Sequence, residues 1–241
     1  MEVMRGMAEA SVDAIVTDPP YGIRFMGKAW DGADIEAMTE KRRAEKSIDP
    51  TSTTKGGHGS VAAHAGLYDL SPVGMLAFQQ FSEDWAREAM RALKPGAYLL
   101  SFASTRTYHR MVCGIEAAGF EIRDQIGWAF GSGFPKSHNG PWGGTALKPA
   151  WEPICMARKP LNGTVEANVL EHGTGALNVD GCRVATDARP LREARRNEES
   201  DANRNAYATG LAGSKAVGVT DIGRWPANLI HDGSDEVVAL F

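Results

Sequence analysis

Asp18, Pro19, Pro20 and Tyr21 stand together one residue after the apolar pair Ile15 and Val16. A carboxylate and a backbone carbonyl stiffened by two successive prolines are acceptors held in a fixed relation. Such a pair suits an amino group whose lone pair is delocalised into a planar ring. Asp18 accepts one of its hydrogens, the Pro19 carbonyl accepts the other, and the lone pair is turned towards an electrophile. Tyr21 adds an aromatic face on which a base rotated out of a duplex would stack. The remaining acceleration would come from holding the nitrogen in line with the reacting carbon. The same four residues would also make a plain rigid turn, with Asp18 capping, the prolines stiffening and Tyr21 packing.

The elements around them must place this loop. Val12, Ala14, Ile15 and Val16 form a short, mostly apolar run, as expected of a strand buried on both faces of a parallel sheet. The prolines stop it, so residues 18–22 form the loop at its carboxyl end, the edge at which open α/β sheets bind ligands. A short helix is expected over 2–10. Residues 24–70 are polar and glycine-rich and read as a long exposed or mobile loop. Met75, Phe78, Phe81, Trp85, Ala89 and Leu93 recur at helical spacing over 72–93, with Pro72 near the start. Residues 97–102 read as a strand, 106–118 as a helix capped by Gly119, 120–130 as extended chain and 151–157 as a last clear strand. A glycine-rich loop, 131–146, lies before that last strand. The alternation predicts an α/β class with right-handed crossovers.

Beyond Lys159 the apolar periodicity fades. Arg189, Arg192, Arg195 and Arg196 form a basic cluster, largely cancelled by Glu193, Glu198, Glu199 and Asp201, which suits either a contact to a phosphate backbone or a solvated helix face. The chain therefore divides into 1–159, carrying the reactive loop and the long loop at about 24–70, and an irregular appendage over 160–241.

Bulk properties exclude several classes. The 241 residues carry a net charge of -4, so bulk charge does not hold this protein to nucleic acid, and any such contact must be local or shared with a partner. Lys136 and Lys148 are candidates for local phosphate contacts. The three cysteines make no CxxC pair and suit a reduced interior. His58, His64, His109, His138, His172 and His231 are scattered without ligand spacing, so no zinc or magnesium site is expected. No targeting or membrane segment is visible, and a soluble, cytoplasmic protein is expected. Trp142, Trp151 and Trp225 read as packing residues. With 27 glycines and 12 prolines, much of the chain is expected to be turn and loop.

Asp18-Pro19-Pro20-Tyr21-Gly22 after the strand resembles, position for position, the catalytic motif of the DNA amino-methyltransferases that modify N6 of adenine or N4 of cytosine. The likeness extends over nearly the whole chain. Leu93-Lys94-Pro95-Gly96 and the following strand resemble the family's next sheet segment. Phe130, Gly131, Gly133, Phe134 and Pro135 resemble its target-base loop, which would close over the flipped base. The stretches 145–154, 178–183 and 224–230 are similar to a subgroup found in phages and mobile elements.

The resemblance implies a partial Rossmann-like fold, a mostly parallel sheet flanked by helices, with S-adenosyl-L-methionine as methyl donor and double-stranded DNA as partner. It implies Asp18, Pro19, Pro20 and Tyr21 as the catalytic residues. Residues 160–241 would then begin a target-recognition insertion. Aspartate as the first motif residue resembles adenine-N6 enzymes more than cytosine-N4 ones. In the permuted order that places catalysis first, a DPFxGSGT-like donor loop would come last, and no stretch resembles it. Only Asp18 and Pro19 are carried over to the donor's surroundings. A fragment, a split enzyme completed by a second chain, a homodimer, or a degenerate DNA-associated subunit is therefore expected. A sheet cut at this point leaves an unpaired edge beside the 12–16 strand.

Overall fold

The structure is a computed structural model that describes residues 2–21, 35, 37–41, 70–134, 139–144, 146–192 and 216–239. The expected long loop at 24–70 lies almost wholly outside the described residues. In chain order the elements are α1 (Glu2–Arg5), β1 (Val12–Thr17), α2 (Pro72–Ala92), β2 (Leu93–Phe102), α3 (Tyr108–Ala117), β3 (Glu121–Ala129) and β4 (Trp151–Arg158). Then follow α4 (Val165–His172), a 3-10 turn (Asp180–Cys182), β5 (Arg189–Arg192), β6 (Ala216–Thr220), β7 (Leu229–His231) and α5 (Asp235–Val238).

Helix α2 forms where the apolar spacing predicts it. The Ser71 side chain accepts from the Gly74 amide at 3.2 Å, and Pro72 fills the first turn, where its missing N–H costs nothing. Met75, Phe78, Phe81, Trp85 and Ala89 are all buried on one face. The helix stops at Ala92 because Pro95 drives the residues before it into extended backbone, and Leu93 already has ψ 144°. The buried face of α2 joins Met111 and Ile115 of α3 and Ala97, Leu99, Cys155 and Ala157 of the sheet in one core.

The main sheet has the order β1-β2-β4-β3-β7. β1 pairs with β2, and β3 with β7, in parallel, whereas β4 is antiparallel to both its neighbours. Four of the five strands therefore run in one direction, as expected of a mostly parallel, partial Rossmann-like sheet, and β4 alone is reversed. The cause is the direct return from β3 to β4, which needs no crossover helix. As the middle strand, β4 is buried from Pro153 to Arg158 without alternation, since both of its faces are covered. β1 stands at the end of the order, and its residues Asp13, Ala14 and Val16 are exposed rather than buried on both faces.

The chain forms two compact units, Met1–Ala176 with Asn228–Phe241, and Leu177–Ala227. The boundary thus falls after Ala176, not after residue 159, and the chain's last residues return to the first unit. Asn168 of α4 explains the first difference. It is fully buried, and its amide donates to the Pro95 carbonyl at 3.0 Å and the Thr174 carbonyl at 2.7 Å, while its Oδ1 accepts from the Asn162 amide at 2.8 Å. These bonds fasten α4 and both its flanks to the start of β2. In the second unit β5 and β6 form an antiparallel pair, so Arg189 and Arg192 belong to a strand and not to a helix face. Pro190 is tolerated in so short an edge strand. Arg183 pairs with Asp180 at 2.8 Å and lies 5.6 Å from the centre of the Trp225 ring.

Asn168→Ala leaves the Thr174 carbonyl and the Asn162 amide without their partner, while the Pro95 carbonyl keeps the Thr174 hydroxyl. The expected cost is about 2–4 kcal/mol, from unmet polar groups rather than lost volume, read as a lower urea midpoint at unchanged slope.

Candidate active site

The parallel pair β1–β2 ends in register, with Thr17 opposite Ser101. Both strands then deliver their loops to the same edge of the sheet. Asp18 is exposed there, and Pro19, Pro20 and Tyr21 are half-buried. From β2 the chain passes through residues 103–107 into α3. Thr107 sits at the N-cap of that helix, but its hydroxyl caps nothing in α3. It donates instead to the Tyr21 carbonyl at 3.2 Å, and Thr107 itself is fully buried. The loop of residues 18–21 is thereby tied to the first turn of α3. This residue has no periodicity or motif that would have singled it out.

Next to it on α3, burial pushes the Tyr108 phenol up to about 12, helped by Cys155 and Asp124, so it stays protonated at neutral pH. Burial alone pushes the Cys155 thiol up to about 12. Cys155 lies on β4 opposite Ser101, within the core.

The loop after β3 leaves the same edge. β3 ends at Ala129 opposite Trp151, the first residue of β4. Phe130 is half-buried and donates its amide to the Ala150 carbonyl at 3.1 Å. The two arms of the loop then stay close. A Cβ on Gly133 would fall 1.8 Å from the Pro149 carbonyl oxygen, so this glycine serves close approach of backbone to backbone. Trp151 packs its indole over Gly127, in line with a packing role. Trp142 does not pack into a core: it is 83% exposed, on a turn closed by the Gly140–Gly143 bridge. Phe134 and Leu147 are also exposed. Residues 18–21 and this loop are three strand spacings apart, about 14 Å at the usual separation.

Of the candidate phosphate contacts, Lys148 and Arg192 lie among the described residues. Lys148 is in an ion pair with Glu236 at 2.7 Å. Arg192 contributes backbone to β5, in the other unit. Pro135, Lys136, Arg195 and Arg196 lie outside the described residues. Among the described residues no group of three or more His, Cys, Asp or Glu side chains is arranged to hold a metal ion. No helix among them is long and apolar enough to cross a membrane. A groove of about 350 Å³, lined by Met90, Pro95, Gly119, Lys159, Pro160 and Leu161 among others, lies at the opposite edge of the sheet from Asp18. It starts at the amino end of β2 and so has no part in chemistry at residues 18–21.

The class defined by this geometry is an α/β protein with a stiff acidic-proline loop at the carboxyl edge of a mixed sheet, faced by a second loop from the same edge. The profile of a DNA methylase family matches residues 12–210, and the chain belongs to that N6/N4 family. It is similar to the type II methyltransferase M.HindIII of Haemophilus influenzae, with 26% identity over 187 residues, 70% of this chain and 59% of that protein. The chain thus spans less than two thirds of that relative. Among solved structures, the Thermus thermophilus protein TTHA0409 in complex with S-adenosyl-L-methionine is 20% identical, with a TM-score of 0.35, over 68% of this chain and 54% of that one. The cytosine-N4-specific PvuII DNA methyltransferase is 13% identical, with a TM-score of 0.36, over 73% and 61%.

The thiols offer a check on this packing. Iodoacetamide at pH 8 is expected to modify exposed Cys113 and Cys182 in the folded protein and to spare Cys155, with all three modified in denaturant. Peptide mass spectrometry reads the outcome, and alkylation of Cys155 at the rate of the others would show that the β2–β4 core is not packed as described.

Proposed function

We propose that this protein acts in the transfer of a methyl group from S-adenosyl-L-methionine to the exocyclic amino group of a base in double-stranded DNA. The observation that carries the reading is the Asp18–Pro19–Pro20–Tyr21 loop, delivered to the carboxyl edge by β1 and tied down by Thr107 in a chain of the DNA methylase family. In this reading Asp18 and the Pro19 carbonyl each accept one hydrogen of the amino group. The nitrogen lone pair, otherwise drawn into the ring, is turned out of the ring plane. Tyr21 stacks on the rotated base. The Thr107 hydroxyl restrains the Tyr21 carbonyl, so the acceptors are already placed before the base arrives. Phe130, Gly131, Gly133, Phe134 and Pro135 form the base-side loop, and Lys136 and Arg192, Arg195 and Arg196 are candidates for the phosphate backbone.

The methyl donor supplies an electrophilic carbon when bound. The described residues do not form a complete site for it. Asp18 and Pro19 border its position, but the groove at the far edge of the sheet is too remote to hold it. We infer that most donor contacts come from polypeptide beyond the described residues or from a second chain. The outer side of β1, at the end of the sheet order, is the natural seam for that addition or for a homodimer.

Asp18→Ala is expected to lower turnover by about 10²-fold or more, because the lost acceptor acts on the reacting nitrogen. DNA affinity should stay within a factor of about three, since that contact is a small share of the interface. Methyl transfer from labelled donor to duplex DNA reads the rate, using the protein alone or reconstituted with the polypeptide that completes the donor site. Equal rates for variant and parent would remove Asp18 from the mechanism.

Adenine N6 is the proposed target because aspartate leads the motif. A carboxylate can equally accept a hydrogen from N4 of cytosine, so the base is decided by product analysis. Methylated mixed-sequence DNA, digested to nucleosides and separated by mass, is expected to contain N6-methyladenine. N4-methylcytosine alone would reassign the base and leave the role of Asp18 unchanged.

A further inference from the structure

The two ends of the base-side loop are held by a segment far away in sequence. β7 adds to the free side of β3, with Ala129 opposite His231, and the Asp232 amide continues the ladder by donating to the Ala129 carbonyl at 3.1 Å. Asp232 then turns its carboxylate back. Its Oδ2 accepts from the Gly131 amide at 3.0 Å, two residues beyond the end of β3. Its Oδ1 accepts from the Ser234 amide at 2.9 Å and the Ser234 hydroxyl at 2.7 Å. One turn of α5 later, Glu236 takes Lys148 at 2.7 Å, three residues before β4 begins. The first and last parts of the loop are thus gripped by two carboxylates four residues apart on one short segment.

Gly131 fits this arrangement and little else would. A Cβ there would meet the Ser234 hydroxyl at 2.8 Å and the Glu236 carboxylate at 3.0 Å. The glycine lets the loop backbone lie directly against the turn, so that the Gly131 amide reaches Asp232. The carboxylate is also held below the ordinary aspartate range, chiefly by the Ser234 amide and hydroxyl, against a small opposing effect of burial, with Gly131 adding to it. As a carboxylate it is an acceptor only. The neighbouring charged or titratable groups are Glu236, Asp235, His231 and Lys148.

We propose that Asp232 is a positioning residue for the loop between β3 and β4: it fixes the direction in which that loop leaves the sheet, and Glu236 fixes its return through Lys148. The loop has to reach across about three strand spacings to face a base at Asp18, so a small change of angle at its root becomes a large displacement at its tip. Phe134 and Trp142, both exposed on the loop, are carried by that angle. The assignment also gives Lys148 a structural role in place of a phosphate contact. It rests on the base-side reading of the loop given above.

Asp232→Asn separates the two tasks of the carboxylate. An asparagine has one acceptor oxygen; turned to the two Ser234 donors, it leaves its NH2 facing the Gly131 amide, and the bond to the loop is lost. In the 241-residue protein, hydrogen–deuterium exchange of residues 130–150 is expected to rise about 10-fold in this variant, with the urea midpoint nearly unchanged, because the lost bond is on the surface. Asp235→Asn, on the same turn but without a bond to the loop, should leave exchange as in the parent. Affinity for duplex DNA, read by fluorescence anisotropy, is expected to fall about fivefold in Asp232→Asn and to stay unchanged in Asp235→Asn. Unaltered exchange over 130–150 in Asp232→Asn would overturn the assignment. So would faster exchange with undiminished DNA affinity in a protein that binds DNA. A parent that binds no DNA would count against the methyltransferase reading instead, and exchange alone would then decide whether Asp232 holds the loop.

Discussion

Strand β4 runs backward between β2 and β3, and this reversal determines what faces what. β1, β2 and β3 all end at one edge of the sheet, and β4 begins there. The Asp18 loop after β1, the turn into α3 after β2 and both ends of the β3–β4 connection consequently emerge side by side. A parallel β4 would have required a crossover and sent its amino end to the opposite edge. The full burial of β4 from Pro153 to Arg158 maintains the reversal, because no slip in register keeps those apolar residues covered while retaining the bonds to both neighbours. Arg158, at the far end of that run, is satisfied by Glu121 on β3 at 2.6 Å, which locks the register at the other edge.

Loops on such an edge are only as well placed as their tethers. Each side of the candidate site has a tether made by a polar group diverted from its local use. Thr107 occupies an N-cap position, where a hydroxyl ordinarily serves its own helix, yet it holds the Tyr21 carbonyl. Asp232 could satisfy its own turn with one oxygen, and the other reaches the Gly131 amide. In both cases a side chain from a distant segment removes freedom from the backbone of a loop. That is how a site built on loops acquires the definition of one built on strands.

The parts of this arrangement differ in how far they were legible in the sequence. The Asp18 loop was legible because its residue types are rare together and the prolines state their own conformation. Helix α2 was legible because Met75, Phe78, Phe81, Trp85 and Ala89 repeat at the helical period along most of its 21 residues. β7 was not, since three residues carry no period, and only pairing with β3 makes them a strand. The arginines at 189 and 192 read equally well as a helix face, because four residues containing a proline give neither pattern. The antiparallel place of β4 was hidden too, as a buried run reads alike in either direction. The ion pair of Lys148 joins residues 88 apart in the chain, so an isolated lysine was assigned to DNA by its charge alone.

The same comparison explains why the site's chemistry and its placement were unequal in difficulty. Chemistry at an amino group needs particular atoms, and those atoms name themselves: a carboxylate, a proline carbonyl, a ring. Placement needs only that some donor meets some acceptor, and any threonine or aspartate will do. Thr107 and Asp232 are ordinary residues in ordinary surroundings until the fold brings Tyr21 and Gly131 to them. Their effect on a reaction would nonetheless be large in proportion to their bond strength, because a bond worth about 1 kcal/mol in stability can decide whether a loop spends its time in the productive direction. The groups that would act on an amino nitrogen and the groups that fix their place are therefore different residues, drawn from distant parts of the chain.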